Sequence, residues 1–219
     1  MFKLLCPACG GEVVFKSKAS IFVVCTYCKS SLLRQDLNLE LYGKMAELQE
    51  DLTPFQIGTK GYWSKNPFEL LGRLRMSWDD GYWNEWYVLF GDGQEGWLAE
   101  AQGFYSICLE DKDSPIPDRD DIKVGARFDF KDSNNSLLDF LNKGEYEVCD
   151  IKEVICIGSE GELPFTAPKG RKSTSIDLNS NDGKFACIEY HEDGNRLFVG
   201  EYIEFDDFGF TNLRDIEGW

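Results

Sequence analysis

Cys6-Pro7-Ala8-Cys9-Gly10-Gly11 and Cys25-Thr26-Tyr27-Cys28-Lys29-Ser30, with fifteen residues between Cys9 and Cys25, decide how the start of this chain folds. A CxxC spacing lets both sulfurs of a tight turn address one ion, and the glycines after Cys9 permit the positive φ that closes it. Between the pairs, Glu12–Lys16 and Ile21–Val24 are rich in β-formers and read as a hairpin that brings the two turns together. The expectation is one structural Zn²⁺ held by Cys6, Cys9, Cys25 and Cys28 in a zinc ribbon spanning 1–34. Thioredoxin-type redox chemistry and disulfides compete with it, but a redox site uses one CxxC at a helix N-terminus rather than two on a hairpin. Four protein ligands leave no position for water, so the ion would be structural rather than catalytic. So small a ribbon has almost no apolar core, and metal removal is expected to unfold it.

The chain as a whole is globular in composition, with 42% hydrophobic, 14% aromatic and 28% charged residues, and its 21 glycines lean toward strands and turns. The net charge of −16 repels phosphate backbones and anionic membranes, which disfavours nucleic acid and lipid as partners. Lys16, Lys18, Lys29 and Arg34 give the ribbon a local positive balance against that acidic whole. No apolar run approaches the ~18 residues of a membrane span. The short apolar stretch before Cys6 ends at once in the first CxxC, unlike a secretory signal, so a reducing cytoplasm is the expected compartment.

Downstream, Leu41, Met45, Leu48 and Leu52 recur at helical steps, so 35–54 reads as a short helical linker ended by Thr53-Pro54. From Ile57 the period is two. Leu70–Ser77, Asn84–Phe90, Gly96–Glu100 and Gly103–Leu109 read as strands of a first β module over 55–110. An acidic, proline-bearing linker over 111–122 leads to a longer second module over 123–219. Its expected strands are Ala126–Phe130, Glu145–Ile157, Ser173–Leu178, Lys184–His191 and Arg196–Phe205. The modules look like an internal repeat. Gly58-Thr59 matches Gly125-Ala126, and Asp92-Gly93 with Trp97–Glu100 matches Asp193-Gly194 with Phe198–Glu201. The fold class is therefore mainly β: a zinc ribbon and two related SH3-like barrels or rolls, joined by a short helix and linkers.

CPACGG (6–11), IFVVCTYCKS (21–30), YGKMAELQ (42–49), the aromatic block WDDGYWNEWYVLFGDGQEGWLAEAQG (78–103) and LFVGEYIEFDDFGFTNLRD (197–215) together resemble a bacterial family. It is domain of unknown function 4178, in versions with an N-terminal zinc ribbon. The resemblance covers nearly the whole chain and implies no established enzymatic activity. It also implies a neighbourhood of envelope-stress proteins and polyamine-synthase-like enzymes. Only the four cysteines carry over with an assigned role.

No P-loop, GxGxxG or GxSxG is present, and His191 is the sole histidine, which leaves no catalytic residue to name. Cys108, Cys149, Cys156 and Cys187 lie in apolar strand-like runs and read as buried small hydrophobes. The ligand-binding candidate is the hairpin of Trp78, Asp79, Asp80, Tyr82, Trp83 and Glu85, where aromatic faces beside carboxylates suit an organic cation. The competing reading is that alternate aromatics here simply fill a core. The leading functional expectation is a non-enzymatic adaptor or assembly protein whose acidic face steers a protein partner. The alternative is a sensor of a small organic cation such as a polyamine.

Overall fold

The computed structural model describes residues 1–44, 48, 51–131 and 136–216, with Ser136 as backbone only. Mainly β is what it shows. β1 (Phe2–Leu5) and β2 (Glu12–Phe15) pair as a small sheet of their own. β3 (Phe22–Val24), β4 (Ser30–Gln35) and β5 (Asn38–Lys44) form one end of a large antiparallel sheet. It continues through β6 (Lys60–Trp63), β7 (Asn66–Trp78), β8 (Gly81–Phe90), β9 (Glu95–Ala101) and β10 (Phe104–Glu110). β11 (Arg127–Asp129) and the helix α1 (Ser136–Asn142) precede β12 (Glu145–Leu163), β13 (Lys172–Ser180), β14 (Lys184–Tyr190) and β15 (Arg196–Tyr202).

Eight of these strands close into a ring. β7 to β10 form one meander and β12 to β15 another. Two seams join them, β10 against β15 with Cys108 opposite Gly200, and β7 against β12 with Met76 opposite Cys156. The halves therefore share one ring instead of closing as two SH3-like barrels. Glycines make the seams. At the second, Gly72 lies opposite Gly161. A Cβ on Gly72 would strike the Glu162 carbonyl, and one on Gly161, whose φ is +67°, would strike the Leu71 carbonyl. Gly200 plays the same part against the Ile107 carbonyl at the first seam.

The internal repeat is visible in the backbone. Gly58 N–H donates to Leu70 and Leu70 N–H to Thr59 at 2.8 and 2.9 Å. Gly125 N–H donates to Val148 and Val148 N–H to Ala126 at the same distances. The second expected match is off by one hairpin. Asp92-Gly93 turns β8 into β9, so its positional equivalent is Asp182-Gly183 between β13 and β14, with Gly93 and Gly183 at φ +89° and +85°. Asp193-Gly194 corresponds instead to Gln102-Gly103. Similar turn chemistry at successive hairpins explains the slip.

Alternation along the strands buries both faces of the ring. Trp86 and Val88 of β8 point outward into a core that runs through Leu98, Ile107, Leu197, Val199, Ile176 and Val148. Phe55, Phe208 and Leu141 from the flanking segments cover it. Tyr87 points inward, with Leu74, Met76, Val154, Cys156, Leu163 and Phe165. Each fully buried side chain of this size contributes about 1.5–3 kcal/mol.

Two expectations about the N-terminal region are corrected. The cysteine pairs are not joined by a β2–β3 hairpin: β2 pairs with β1 and β3 with β4, because Phe2–Leu5 and Ser30–Gln35 supply nearer partners. The helix expected over 35–54 is replaced, in its described part, by strand β5, which pairs with β4 from Asn38 opposite Gln35 to Lys44 opposite Ser30. Gly43 disfavours a helix, and Leu39 packs against the ribbon core as an alternating strand residue. Met45 lies outside the described residues.

The ribbon sits on one end of the ring. Val23 and Phe22 pair with Glu162 and Leu163 at the end of β12, and Phe22 and Val24 enter the inner core. The Lys16 and Ser17 amides donate to the Glu162 carboxylate at 2.9–3.2 Å, and the Tyr87 hydroxyl to Ser17 Oγ at 3.1 Å. Lys16 also pairs with Glu69, so part of the ribbon's positive charge is spent on the ring's own acids.

Candidate metal centre and ring cavity

Each cysteine pair occupies the turn of its own hairpin, and the two turns have the same hydrogen bonds. Cys6 N–H donates to Gly11 and Gly10 N–H to Cys6 at 2.8 Å; Cys25 N–H donates to Ser30 and Lys29 N–H to Cys25 at 2.9 Å. The matching residues Gly10 and Lys29 take φ of +74° and +57°, so the position favours but does not demand glycine. All four sulfurs lie within 4.8 Å of one another. Cys6 to Cys28 is 3.7 Å and Cys9 to Cys25 is 3.8 Å. Sulfurs about 2.3 Å from a central ion stand about 3.8 Å apart in a tetrahedron. The donor set thus fits a closed four-thiolate metal site, and none of the four is in a disulfide. Hydrogen bonding with Ser30 lowers the Cys28 thiol to about 6, whereas Cys9, against the Gly11 N–H, is pushed up to about 12 by the neighbouring sulfurs, so a bound cation is what would bring all four to the thiolate.

The inner face of the ring encloses a cavity of about 250 Å³. All eight strands contribute to its wall. Trp78 and Trp83 lie 5.3 Å apart, centroid to centroid, near the β7–β8 turn. Trp97 packs tilted against Phe165 at 5.6 Å, toward the ribbon end. Glu85 lies between, ringed by protein yet touching the free space, and its side chain accepts from the Trp83 indole N–H at 2.9 Å. Burial first, then the nearby Glu189 carboxylate, raises Glu85 from the usual 4.5 to about 7. Asp177 and Glu189 also face in. Asp177 is paired with Lys152 at 3.1 Å and Glu189 with Arg171 at 2.7 Å. Cys108 and Cys187 complete the wall, and burial pushes both thiols well above their ordinary range.

Of the six residues expected on the aromatic hairpin, Trp78, Trp83 and Glu85 meet in this cavity. Asp79 and Asp80 form the exposed turn, away from it. Tyr82 points to the outer face, where the Arg75 guanidinium lies 5.0 Å from its ring centre. There Asp51, Arg73, Arg75, Asn84 and Glu100 form a buried polar network, with Asp51 bridging both arginines. Cys108 and Cys156 are buried as expected and Cys187 is half-buried. Cys149 is exposed, a correction: it stands at a bulge in β12, left out of the pairing with β13 between Val148 and Asp150. Sequence reasoning missed Lys152, Asp177, Glu189, Ser173 and Phe165, whose common site only the ring closure creates.

A family described as domain of unknown function (DUF4178) matches residues 56–205. The chain belongs to this family. The matched residues run from the turn before Gly58 to the end of the second meander, so the family's domain is the ring. No curated protein and no solved structure matches the chain. Among the described residues no helix is long and apolar enough to cross a membrane.

Proposed function

We propose that the ring is a non-enzymatic binding module that takes a small organic cation into its cavity, and that the ribbon is a structural zinc domain closing one end. The carrying observation is Glu85, a carboxylate deep in an aromatic-walled cavity whose hydrogen-bond partner is a neutral indole. An ammonium group placed there would gain Coulomb attraction from Glu85 and cation–π contact with Trp83 and Trp78. The thiols in the wall are held protonated, and His191 lies on an outer turn beside Asp193, so neither supplies a nucleophile or base to the cavity. Zinc is chosen for the ribbon because four thiolates in a closed tetrahedral set suit it best. Calorimetry of the full chain with n-pentylamine at pH 8 tests the reading. Binding that disappears in Glu85→Gln and weakens in Trp83→Ala supports it; a signal that both variants retain and salt abolishes would leave only surface attraction.

A second reading, protein docking, rests on a different observation. β5 is an edge strand of the large sheet and exposes Leu41 and Tyr42, an arrangement suited to accepting a strand from a partner. Affinity purification with Leu41→Lys in β5 tests it, since an unchanged set of captured proteins would remove this edge as the docking site.

A further inference from the structure

The carboxylates of the ring are not equivalent, and the difference narrows the ligand. Asp177 and Glu189 already hold the cations Lys152 and Arg171, while among the described residues no ion pair reaches Glu85. The cavity thus has room for one added positive charge, because a second ammonium would lie beside lysine and arginine with no free carboxylate.

The opposite requirement arises on β13. Ser173 is 5% exposed, lines the cavity, and its Oγ is buried without a hydrogen-bond partner. Two residues earlier, on the same face of the chain, Arg171 is 9% exposed and its Nε is also without an acceptor, although its Nη1 serves Glu189. Two buried donors that lack acceptors are costly to leave so, and an oxygen-bearing ligand group would satisfy them. Arg171 borders the cavity rather than lining it, packed over the wall residue Phe165 at this end, whereas Trp78 and Trp83 stand toward the other end. Glu85 comes between.

On the basis of the cation-binding reading above, we infer that the cavity takes a small zwitterion: one ammonium group against Glu85 and the tryptophans, and one carboxylate or similar acceptor against Ser173 and Arg171, joined by a short apolar chain. The size agrees. About 250 Å³ of free space admits a short chain with a charged group at each end, and an ω-amino acid of five carbons is the probe of that form. The apolar stretch between the charges would run past Cys108, Cys187 and Ala99.

Calorimetry of the full chain at pH 8 with 5-aminopentanoate, n-pentylamine and 1,5-diaminopentane separates this inference from the reading beneath it. The amino acid is expected to bind tightest, about tenfold or more above pentylamine, and the diamine weakest. Ser173→Ala should bring the amino acid down to within about threefold of pentylamine while leaving pentylamine unchanged. Arg171→Lys, which keeps the charge opposite Glu189 and removes Nε, should do likewise, with thermal melts confirming that both variants are folded. Tightest binding by the diamine would overturn the zwitterion and leave the cation reading standing. An amino acid advantage that both variants retain would also overturn it. Silence from all three compounds would remove both.

Discussion

The ribbon and the ring stabilise themselves by opposite means. The ribbon buries Val13, Phe15, Val23 and Leu32 beside two cysteines, too little for two hairpins to stand alone, and its four sulfurs converge on one point. The ring buries apolar side chains on both faces of eight strands and closes every one of those strands against two neighbours. A metal cross-link is one strong interaction that fails at once; a doubly covered ring is many weak ones that fail together or hardly at all.

The largest effect expected from breaking this contrast is metal removal. A chelator, or Cys25→Ser, should unfold the ribbon with a loss on the order of 10 kcal/mol of binding-linked stability, while the ring keeps its near-ultraviolet signal. Limited proteolysis should then cut within the first 35 residues first; simultaneous loss of both regions would show that the ring depends on its plug. Next in size, Trp86→Ala should cost the ring about 3–5 kcal/mol in a denaturant titration, whereas Leu5→Ala, an exposed ribbon position, should stay within about 0.5 kcal/mol. Gly72→Ala comes third. Its methyl group meets backbone at the β7–β12 seam, with an expected loss of about 3 kcal/mol and a lowered midpoint without change in the ribbon's metal content.

The smallest effect is the most diagnostic of the cavity. Glu85 binds its proton more tightly in the folded ring, at about 7 against an ordinary 4.5. Its contribution is therefore full below about pH 4.5 and is lost as pH rises toward and through 7, by roughly 1–3 kcal/mol in all. Glu189 and Asp177 face the same space and, with Arg171 close by, act on Glu85 through their charges. Thermal melts between pH 5.5 and 8.5 should show that decline flattened in Glu85→Gln, and an unaltered decline would move the titration to another group.

The cysteine spacing made the metal site legible because its geometry is local: two residues between ligands fix the turn. Strand positions were legible for a similar reason, as at Asn84–Phe90, where period two is written in the residues. Ring closure was not, since Gly72 and Gly161 are distant in sequence and nothing local says that they touch. The same gap hid most of the cavity. Ser173, Ser175 and Asp177 alternate with Thr174, Ile176 and Leu178, and such a polar face ordinarily looks out to water. Here it looks inward. The linker failed differently: Leu41 and Leu48 imitate a helical face, yet Asn38–Lys44 finds an open strand edge in β4, and pairing overrides the weak helical pattern.

Both seams of the ring lie between its two halves, and the chain passes from one half to the other through Asp111–Lys123. Arg119–Asp121 is an exposed single turn in that passage. A nick there would sever the covalent path without touching a ladder, so the two fragments would stay associated as a tight heterodimer. Either fragment made alone would carry two raw strand edges and would be sticky. The architecture has the form of a pair of subunits fused head to tail, in which one polypeptide serves as its own partner.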